Sequence, residues 1–320
     1  MLEIDAVADC SAWVAQGERR PVAAVQELDL REVDGLDGPG FDGCLFLGCE
    51  LTAQQAGALT VHGAMVVHDG AGRPFSLHRS RLYTADELFA GFDPADPDGW
   101  RATFDARVYR HWVDNGGNAP ASIAETLAQR LHDHSITDAL DEALAGHRPV
   151  AIMGGHDIER RDPRYAAVAR IARTLAREGF LMVSGGGPGA MEATHLGVWM
   201  AHFDDNELGE AIAVLAPRPD GALSGREYAD ADWLHRAFAV RDRWPVSPLR
   251  YQSIGIPTWA YGHEPPAPVA SAIAKYFANS VREDGLLAIA THGVVFTPGK
   301  AGTIQEIFQD AAQNHYEAFG

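Results

Sequence analysis

The clearest chemical pattern in the chain lies at Thr297 to Glu306, which read TPGKAGTIQE. An apolar run from Gly293 to Phe296 precedes this stretch and predicts a strand, and Ile304 to Phe319 predict a helix. Glycine lets a backbone approach a ligand closely, and the amides of a first helical turn favour an anion. Thr303 is the predicted N-cap of this helix, which makes Glu306 its third residue. The stretch therefore has the composition of an anion site.

The same residues also fit a purely structural role. Thr303-x-x-Glu306 matches a capping box, in which the glutamate only returns a hydrogen bond to a backbone amide. Other parts of the chain are needed to decide between a ligand site and a helix cap.

A second glycine-rich turn follows another predicted strand. Phe180 to Val183 are apolar and lead into SGGGPGAME at residues 184–192, and Val150 to Met153 form a similar run that ends at Gly154-Gly155. Strands that alternate with helices predict a parallel sheet with helices on both faces, and such sheets bind ligands beyond the carboxyl ends of their strands. We therefore expect both glycine turns at one edge of a Rossmann-like α/β sheet.

Composition narrows the class of ligand. The chain has 320 residues, 46% of them apolar, and a formal net charge of −18. The charge disfavours a nucleic acid polymer or an anionic membrane as partner, but a small phosphorylated molecule can still be held by backbone amides. The three cysteines lack metal-ligand spacing, and no segment resembles a signal peptide or a membrane span. These features predict a reduced, cytoplasmic protein.

The length favours two domains, and the break at Ala145 to Pro149 is the predicted boundary. Residues 1–147 are expected to form a smaller mixed α/β accessory domain, and residues 148–320 the Rossmann-like nucleotide-binding domain. The predicted elements of the first domain are strands at 43–49 and 64–68 and helices at 84–89 and 123–144. His132-Asp133-His134 on the last helix is assigned to a solvated face rather than to a metal site, because neighbours two apart diverge on a helix.

The second domain contains further predicted elements. Asp162 is expected to cap a helix that begins at Pro163, and Ala211 to Leu215 are predicted to form a strand. Residues 218–268 are an insert rich in aromatic side chains, which we interpret as a lid or base-stacking wall, or alternatively as an oligomer interface. Val269 to Glu283 are predicted to form a helix.

A polar stripe marks this predicted helix. Lys275, Asn279 and Arg282 recur at helical spacing and would lie on one face. Such a stripe is commonly exposed to solvent, but it could also turn a cationic face toward a phosphate site.

Two common nucleotide motifs are absent. The turn at 184–189 lacks the G-x-G-x-x-G spacing of dinucleotide-binding sites, and Lys300 precedes Gly302 instead of following it as a Walker lysine would. A redox dinucleotide and a P-loop nucleotide are therefore disfavoured.

The three glycine segments together resemble the LOG ("lonely guy") family of nucleotide phosphoribohydrolases. The resemblance is carried by Gly154-Gly155, by Ser184 to Glu192 and by the Pro298-Gly299-x-x-Gly302-Thr303-x-x-Glu306 pattern, and it covers about residues 149–320. Members of this family are often labelled lysine-decarboxylase-like Rossmann nucleotide-binding proteins, and the long N-terminal region is similar to that of the larger bacterial forms.

The resemblance implies a homodimeric or larger homo-oligomeric enzyme without a metal or organic cofactor. The implied reaction is hydrolysis of the N-glycosidic bond of a nucleoside 5′-monophosphate to a free base and ribose 5-phosphate. The implied catalytic residues are Glu306 and Arg282. The implied phosphate- and nucleotide-binding residues are Gly154, Gly155, Gly185, Gly186, Gly187, Gly189, Met191, Glu192, Gly299, Lys300, Gly302 and Thr303.

The residues themselves support this chemistry, because N-glycosidic cleavage passes through an oxocarbenium-like sugar that a nearby carboxylate stabilises. This sequence departs from the family at Lys300, where the family has glycine, and at Glu283, where the family has lysine. The substitution at Lys300 keeps a second interpretation open, a nucleotide-binding or sensing protein without turnover. An amino-acid decarboxylase is disfavoured, since nothing marks a Schiff-base lysine with its partner.

Overall fold

The computed structural model describes residues 1–68, 72–93, 95–96, 99–216, 231–246, 250–262 and 264–316. It divides into two compact units, the first comprising Met1–Arg81 with Ala121–Ala139 and the second Leu82–Pro120 with Leu140–Gly320. The predicted boundary near residue 147 therefore differs from the division in the structure. Residues 82–120 belong to the second unit because they bond to it directly: the amide of Tyr83 donates to the Ile273 carbonyl (3.0 Å) and the Ile273 amide donates back (2.8 Å).

The first unit contains a parallel four-stranded sheet in the order β1-β2-β3-β4. Its elements are β1 (Leu2–Ile4), α1 (Val7–Val14), β2 (Ala23–Gln26), β3 (Leu45–Leu47), α2 (Ala53–Val61) and β4 (Met65–Val67). The predicted strands at 43–49 and 64–68 are confirmed as β3 and β4. Trp13, Phe41 and Phe46 pack together in its core, with ring centroids 5.7 to 6.4 Å apart.

The assignment of His132 and Asp133 to a solvated face is wrong. Their helix forms as predicted, over Ile123–Leu144. His132 is fully buried, its Nδ1 lies 3.2 Å from Asp133 Oδ1, and its ring meets the edge of Phe75 at 5.8 Å. Burial lowers the pKa of His132, although Asp133 opposes this effect. His134 is exposed.

The second unit contains a five-stranded parallel sheet in the order β8-β7-β6-β5-β9, which confirms the predicted Rossmann-like α/β arrangement. The helices before it are α3 (Ala85–Leu88), α4 (Phe104–Asp114) and α5 (Ile123–Leu144), of which α5 carries the chain out of the first unit. The remaining elements are β5 (Pro149–Met153), α6 (Pro163–Arg177), β6 (Leu181–Ser184), α7 (Ala190–Trp199), α8 (Asp205–Leu215), α9 (Ala231–Arg243), β7 (Ser253–Gly255), β8 (Ala272–Ile273), α10 (Asn279–Ile289), β9 (Val294–Phe296) and α11 (Ala301–His315).

The strand predicted at Ala211 to Leu215 is wrong, because these residues are the last turns of α8. Asp204 caps that helix in a capping box with Glu207, and Leu208, Ala211 and Leu215 then bury one helical face. Because the cap at Asp204 starts α8 before the apolar run, residues 211–215 extend a helix that has already formed.

The helix predicted at Val269 to Glu283 is also wrong. This segment holds β8 and a connection, and α10 begins only at Asn279. Lys275 lies before the helix and is fully buried, so the expected stripe of Lys275, Asn279 and Arg282 does not exist. Lys275 pairs with the buried Asp105, whose Oδ1 also accepts a hydrogen bond from the indole of Trp259 (3.0 Å).

The aromatic insert is mainly part of the core where the structure describes it. Trp233, Trp244 and Trp259 are buried, which contradicts their assignment to a lid, a stacking wall or an oligomer interface. Tyr261 is different, since it remains 45% exposed. Residues 218–230, 247–249 and 263 of the insert lie outside the described residues.

Within the described residues, no helix has both the length and the apolar composition required to span a bilayer.

Candidate functional site

Three turns meet at the carboxyl ends of β6, β5 and β9. Gly155 connects them, because its amide donates to the Pro298 carbonyl (3.2 Å) and its carbonyl accepts from the Ala190 amide (3.1 Å). The strand order places β5 between β6 and β9, so the two glycine turns predicted to share an edge flank the Gly154-Gly155 turn. Their meeting point is where ligands bind in open parallel sheets.

A cavity of about 250 Å³ opens at this point. Ligand pockets typically measure roughly 300–1,000 Å³, so this volume is suited to part of a small ligand rather than to a large one. The cavity is lined by Gly154, Gly155, His156, Asp157, Met191, Tyr261, Glu264, Arg282, Lys300, Gly302, Thr303 and Glu306.

Helix α11 begins earlier than predicted, and this changes the role of Thr303. Lys300 occupies the N-cap position, but its side chain makes no capping hydrogen bond. Thr303 is therefore the third helical residue instead of the N-cap, and the predicted capping box is wrong. The Ile304 amide makes the first intrahelical hydrogen bond, to the Lys300 carbonyl (3.1 Å). The amides of residues 301–303 therefore precede the helical ladder and lie beside the cavity, where they favour an anion. The predicted end at Phe319 lies outside the described residues.

Arg282 and Glu306 face each other across the cavity. Arg282 Nη1 lies 3.9 Å from Glu306 Oε1, and the two side chains are 13% and 16% exposed. This separation allows ionic attraction but is too long for a hydrogen bond. Arg282 is also anchored from behind, because its Nε donates to the Ile256 carbonyl at 3.1 Å. The carboxylate thus has a fixed cationic neighbour.

Lys300 is paired with a carboxylate from the neighbouring turn. Its Nζ lies 3.0 Å from Asp157 Oδ2, and the lysine side chain is 70% exposed. Partial burial would raise the pKa of Asp157, but the hydrogen bond from Lys300, the backbone amide of Asp157 and the charges of Lys300 and His156 together lower it. The pair keeps a mobile positive charge at the N-terminus of α11.

The turn at 184–189 supports the cavity without lining it. A side chain at Gly185 would collide with the Arg282 guanidinium, and one at Gly189 would collide with the backbone of Gly155 and His156. Gly189 also has φ +69°, which only glycine adopts without strain. The predicted binding residues Gly185, Gly186, Gly187, Gly189 and Gly299 are thus positioned behind the surface that Gly154, Gly155, Met191, Lys300, Gly302 and Thr303 line.

Glu192 does not reach the cavity, contrary to its predicted role in nucleotide binding. It is fully buried and paired with Arg160, whose Nε lies 2.8 Å from Glu192 Oε2. The hydroxyl of Tyr165 donates to the same oxygen at 2.9 Å. Arg160 also donates hydrogen bonds to the carbonyls of Leu215 and Trp233. Through Arg160, Glu192 therefore links α7 to the end of α8 and to α9.

A buried histidine joins the ends of β6 and β7. His195 Nε2 lies 2.8 Å from Ser184 Oγ, and its Nδ1 lies 2.9 Å from Ser253 Oγ. Ser184 Oγ accepts in turn from the Gly186 amide (3.2 Å). Burial lowers the pKa of His195 to about 3, so the ring is neutral and its role is to hold the glycine turn in place.

His156, Asp157, Tyr261 and Glu264 line the cavity but were not predicted as site residues. The available signal was their position, because His156 and Asp157 directly follow Gly154-Gly155 after β5. Tyr261 and Glu264 follow β7, whose carboxyl end lies at the same edge of the sheet.

No family model and no curated protein matches this sequence. The functional assignment therefore depends on the motifs and on the geometry of this cavity.

Proposed function

We propose that this protein is a LOG-type phosphoribohydrolase, which hydrolyses the N-glycosidic bond of a nucleoside 5′-monophosphate to a free base and ribose 5-phosphate. One observation carries the proposal: a single cavity brings the N-terminus of α11 and Lys300 next to the Arg282–Glu306 pair. An anion site and a carboxylate at ribose distance are the two parts that this reaction needs.

The 5′-phosphate would bind at the start of α11. The amides of residues 301–303 supply hydrogen-bond donors, and the helix dipole adds about half a positive charge at its N-terminus. Lys300 supplies a full charge when it exchanges Asp157 for the phosphate. The positive charges of Lys300 and Arg282 would offset part of the repulsion between a phosphate dianion and the carboxylates that line the same cavity.

Glu306 would act on the ribose. It lies one helical turn beyond the phosphate-binding amides, so a ribose whose phosphate occupies residues 301–303 extends toward its carboxylate. As the C1′–N bond breaks, its electron pair leaves with the base and the sugar becomes cationic. Glu306 stabilises that cation and accepts a proton from the water that attacks C1′, and the departing base nitrogen takes up a proton from solvent.

Arg282 would orient and polarise this carboxylate. Its guanidinium is fixed by the Ile256 carbonyl and lies over Gly185, so it cannot follow Glu306 if the carboxylate moves. Arginine stays charged at any ordinary pH, so its guanidinium attracts the Glu306 carboxylate.

The proposal includes two further features that follow from the resemblance and from the cysteine content. We expect a cytoplasmic protein whose three buried cysteines are free thiols, and a homodimer or larger homo-oligomer. Light scattering on the purified full chain measures the oligomeric state.

A second function is favoured by one specific observation. The 3.9 Å between Arg282 and Glu306 exceeds hydrogen-bond distance, and Lys300 stands where the family has glycine. A protein that binds nucleoside monophosphates without hydrolysing them would be compatible with both features.

Release of ribose 5-phosphate distinguishes the two functions. The purified protein is incubated with AMP, GMP, CMP and UMP, and product is followed for the wild type and for Glu306→Gln. Loss of a group that transfers a proton typically costs about 100- to 10,000-fold in rate, so we expect a decrease of that order in Glu306→Gln.

The variant must retain binding for this comparison to be informative. Nucleotide affinity measured by calorimetry is expected to change only a few-fold in Glu306→Gln, because the phosphate contacts remain. Binding without product from the wild type would favour the sensing protein, and a variant as active as the wild type would exclude Glu306 from the chemistry.

A further inference from the structure

We propose that Glu264 and Tyr261 recognise the base and that they select guanine, so that the preferred substrate is guanosine 5′-monophosphate. This inference rests on the proposed function, because it assumes that the phosphate occupies the N-terminus of α11.

The sheet order fixes the direction in which the ligand lies. The cavity runs along the carboxyl ends of β9, β5, β6 and β7, in that spatial order. Adjacent strands are about 4.8 Å apart, so the turn after β6 lies roughly 10 Å from the start of α11. With the phosphate at α11 and the ribose at Glu306, the base extends toward β6 and β7.

Glu264 occupies that end of the cavity. A Cβ placed on Gly187, in the turn after β6, would lie 3.6 Å from Glu264 Oε2. The carboxylate therefore lies against the glycine turn that follows β6. Among the lining residues, Tyr261 and Glu264 are those that lie between β7 and β8.

Tyr261 provides a face for the base to stack on. Its side chain is 45% exposed and lines the cavity, in contrast to the buried tryptophans of the same insert. The Glu264 amide donates to the Tyr261 carbonyl (2.8 Å), so both residues belong to one turn. A tyrosine ring stacks on any base, and the specificity must then come from the carboxylate.

Residues 258–262, which lead into this turn, are held by their neighbours. Thr258 caps the short helix Trp259–Tyr261, and the indole of the buried Trp259 donates to Asp105. Gly262 lies so close to the ring of Tyr109 that a Cβ there would collide with it. A recognition group on a fixed turn loses little entropy on binding.

The chemistry of a carboxylate favours guanine over the other bases. An ionised glutamate only accepts hydrogen bonds, and its two oxygens suit a pair of parallel donors. Guanine presents N1–H and the 2-amino group side by side, which matches that pair. Hypoxanthine offers the N1–H alone, whereas adenine and cytosine place a ring acceptor beside their amino group and uracil places its N–H between two carbonyls.

The test compares GMP with IMP, which differ only in the 2-amino group. We expect kcat/KM for GMP to exceed that for IMP by roughly 10- to 100-fold, the usual effect of one hydrogen bond to a charged group. In Glu264→Gln the side-chain amide nitrogen is a donor and cannot accept a hydrogen bond from the second guanine donor. The ratio of kcat/KM for GMP to kcat/KM for IMP should therefore fall close to one. Glu178→Gln removes one carboxylate from the exposed end of α6 and should retain the wild-type ratio.

Two outcomes separate this inference from the proposed function. Hydrolysis of GMP and IMP at a ratio that Glu264→Gln leaves unchanged would overturn the role of Glu264 while the hydrolase remains. If no monophosphate is hydrolysed, the dissociation constants of GMP and IMP are compared in the same three proteins. If the wild type then binds GMP more tightly than IMP and Glu264→Gln abolishes this preference, the recognition site is supported without the enzyme. If the wild type shows no such preference, both the recognition site and the proposed hydrolase are overturned.

Discussion

Lys300 Nζ lies 3.0 Å from Asp157 Oδ2, and this ion pair joins the turn after β9 to the turn after β5 in the lining of the cavity. Asp157 and a bound phosphate would compete for the same ammonium group. The two residues are therefore expected to have opposite effects on affinity.

Replacing each partner tests this competition. Lys300→Ala should weaken binding of ribose 5-phosphate by about tenfold or more, since a hydrogen bond to a charged group is lost. Asp157→Asn should strengthen it several-fold, because the lysine is released, and calorimetry on the full chain measures both. Weaker binding in both variants would show that Asp157 positions Lys300 instead of competing for it.

The glycine beneath Arg282 gives a second prediction. In Gly185→Ala the new methyl group would collide with the guanidinium and with the Met191 sulfur, so Arg282 must shift. Displacement of a catalytic group by about 1 Å can cost a hundredfold in rate, and we expect kcat to fall by about that factor. Gly209→Ala is the matched control, because Gly209 lies in α8, outside the cavity lining, and a Cβ there meets no atom within 4 Å.

Rates for both variants are measured alongside their unfolding midpoints. Gly209→Ala should retain near-wild-type kcat. A loss of kcat in Gly185→Ala that is matched by global unfolding, or an equal loss in the control, would contradict the specific role of the Arg282 contact.

Acid should destabilise the second unit through His195. Its pKa is about 3 in the folded protein and about 6.5 when unfolded, so the unfolded chain alone binds this proton between these values. No effect is expected above about pH 6.5, and below it the free energy of unfolding should fall by about 1.4 kcal/mol per pH unit.

Urea unfolding at several pH values measures this slope. His195→Gln lacks the titrating ring, so its slope between about pH 6 and about pH 4 should be smaller than that of the wild type by about the same 1.4 kcal/mol per unit. Parallel pH profiles for the two proteins would show that His195 is protonated in the folded state as readily as in the unfolded one.

Glu192 should affect stability and not ligand affinity. Breaking a buried ion pair typically costs about 3–5 kcal/mol, and Glu192→Gln removes the charge that Arg160 requires. The Michaelis constant of the folded fraction should stay within about twofold of the wild type, because the buried carboxylate is not part of the cavity lining. Asp162→Asn breaks a surface pair with Arg164 and should cost at most about 1 kcal/mol.

Chemical denaturation and substrate titration of the same preparations separate the two effects. A large rise in the Michaelis constant of Glu192→Gln with unchanged stability would restore the ligand role that the sequence suggested for Glu192.

The parallel sheet and its turns could be predicted because they depend on local patterns. Val150 to Met153 and Phe180 to Val183 are short apolar runs that end at glycines, and this pattern specifies both the strand and the turn. Arg282 and Glu306 could be named from their motif, and the structure places both in one cavity.

The errors concern segments whose structure depends on distant residues. Lys275 reads as an exposed helical position, but its partner Asp105 lies 170 positions away and both are buried. Ala211 to Leu215 suit a strand and a helix equally well, and the cap at Asp204 decides for the helix. Tyr261 and Glu264 carry no motif, so only the position of β7 reveals them.

The position of β9 beside β5 has a consequence for how the site is made. Protein synthesis proceeds from the amino end, so β5, β6 and α7 leave the ribosome long before α11. No nascent chain that stops before Glu306 can hold the Arg282–Glu306 pair, and until β9 pairs, the outer edge of β5 is open to strands of other chains. The Arg282–Glu306 pair and the protection of this sheet edge would thus be completed in the same late step of biosynthesis.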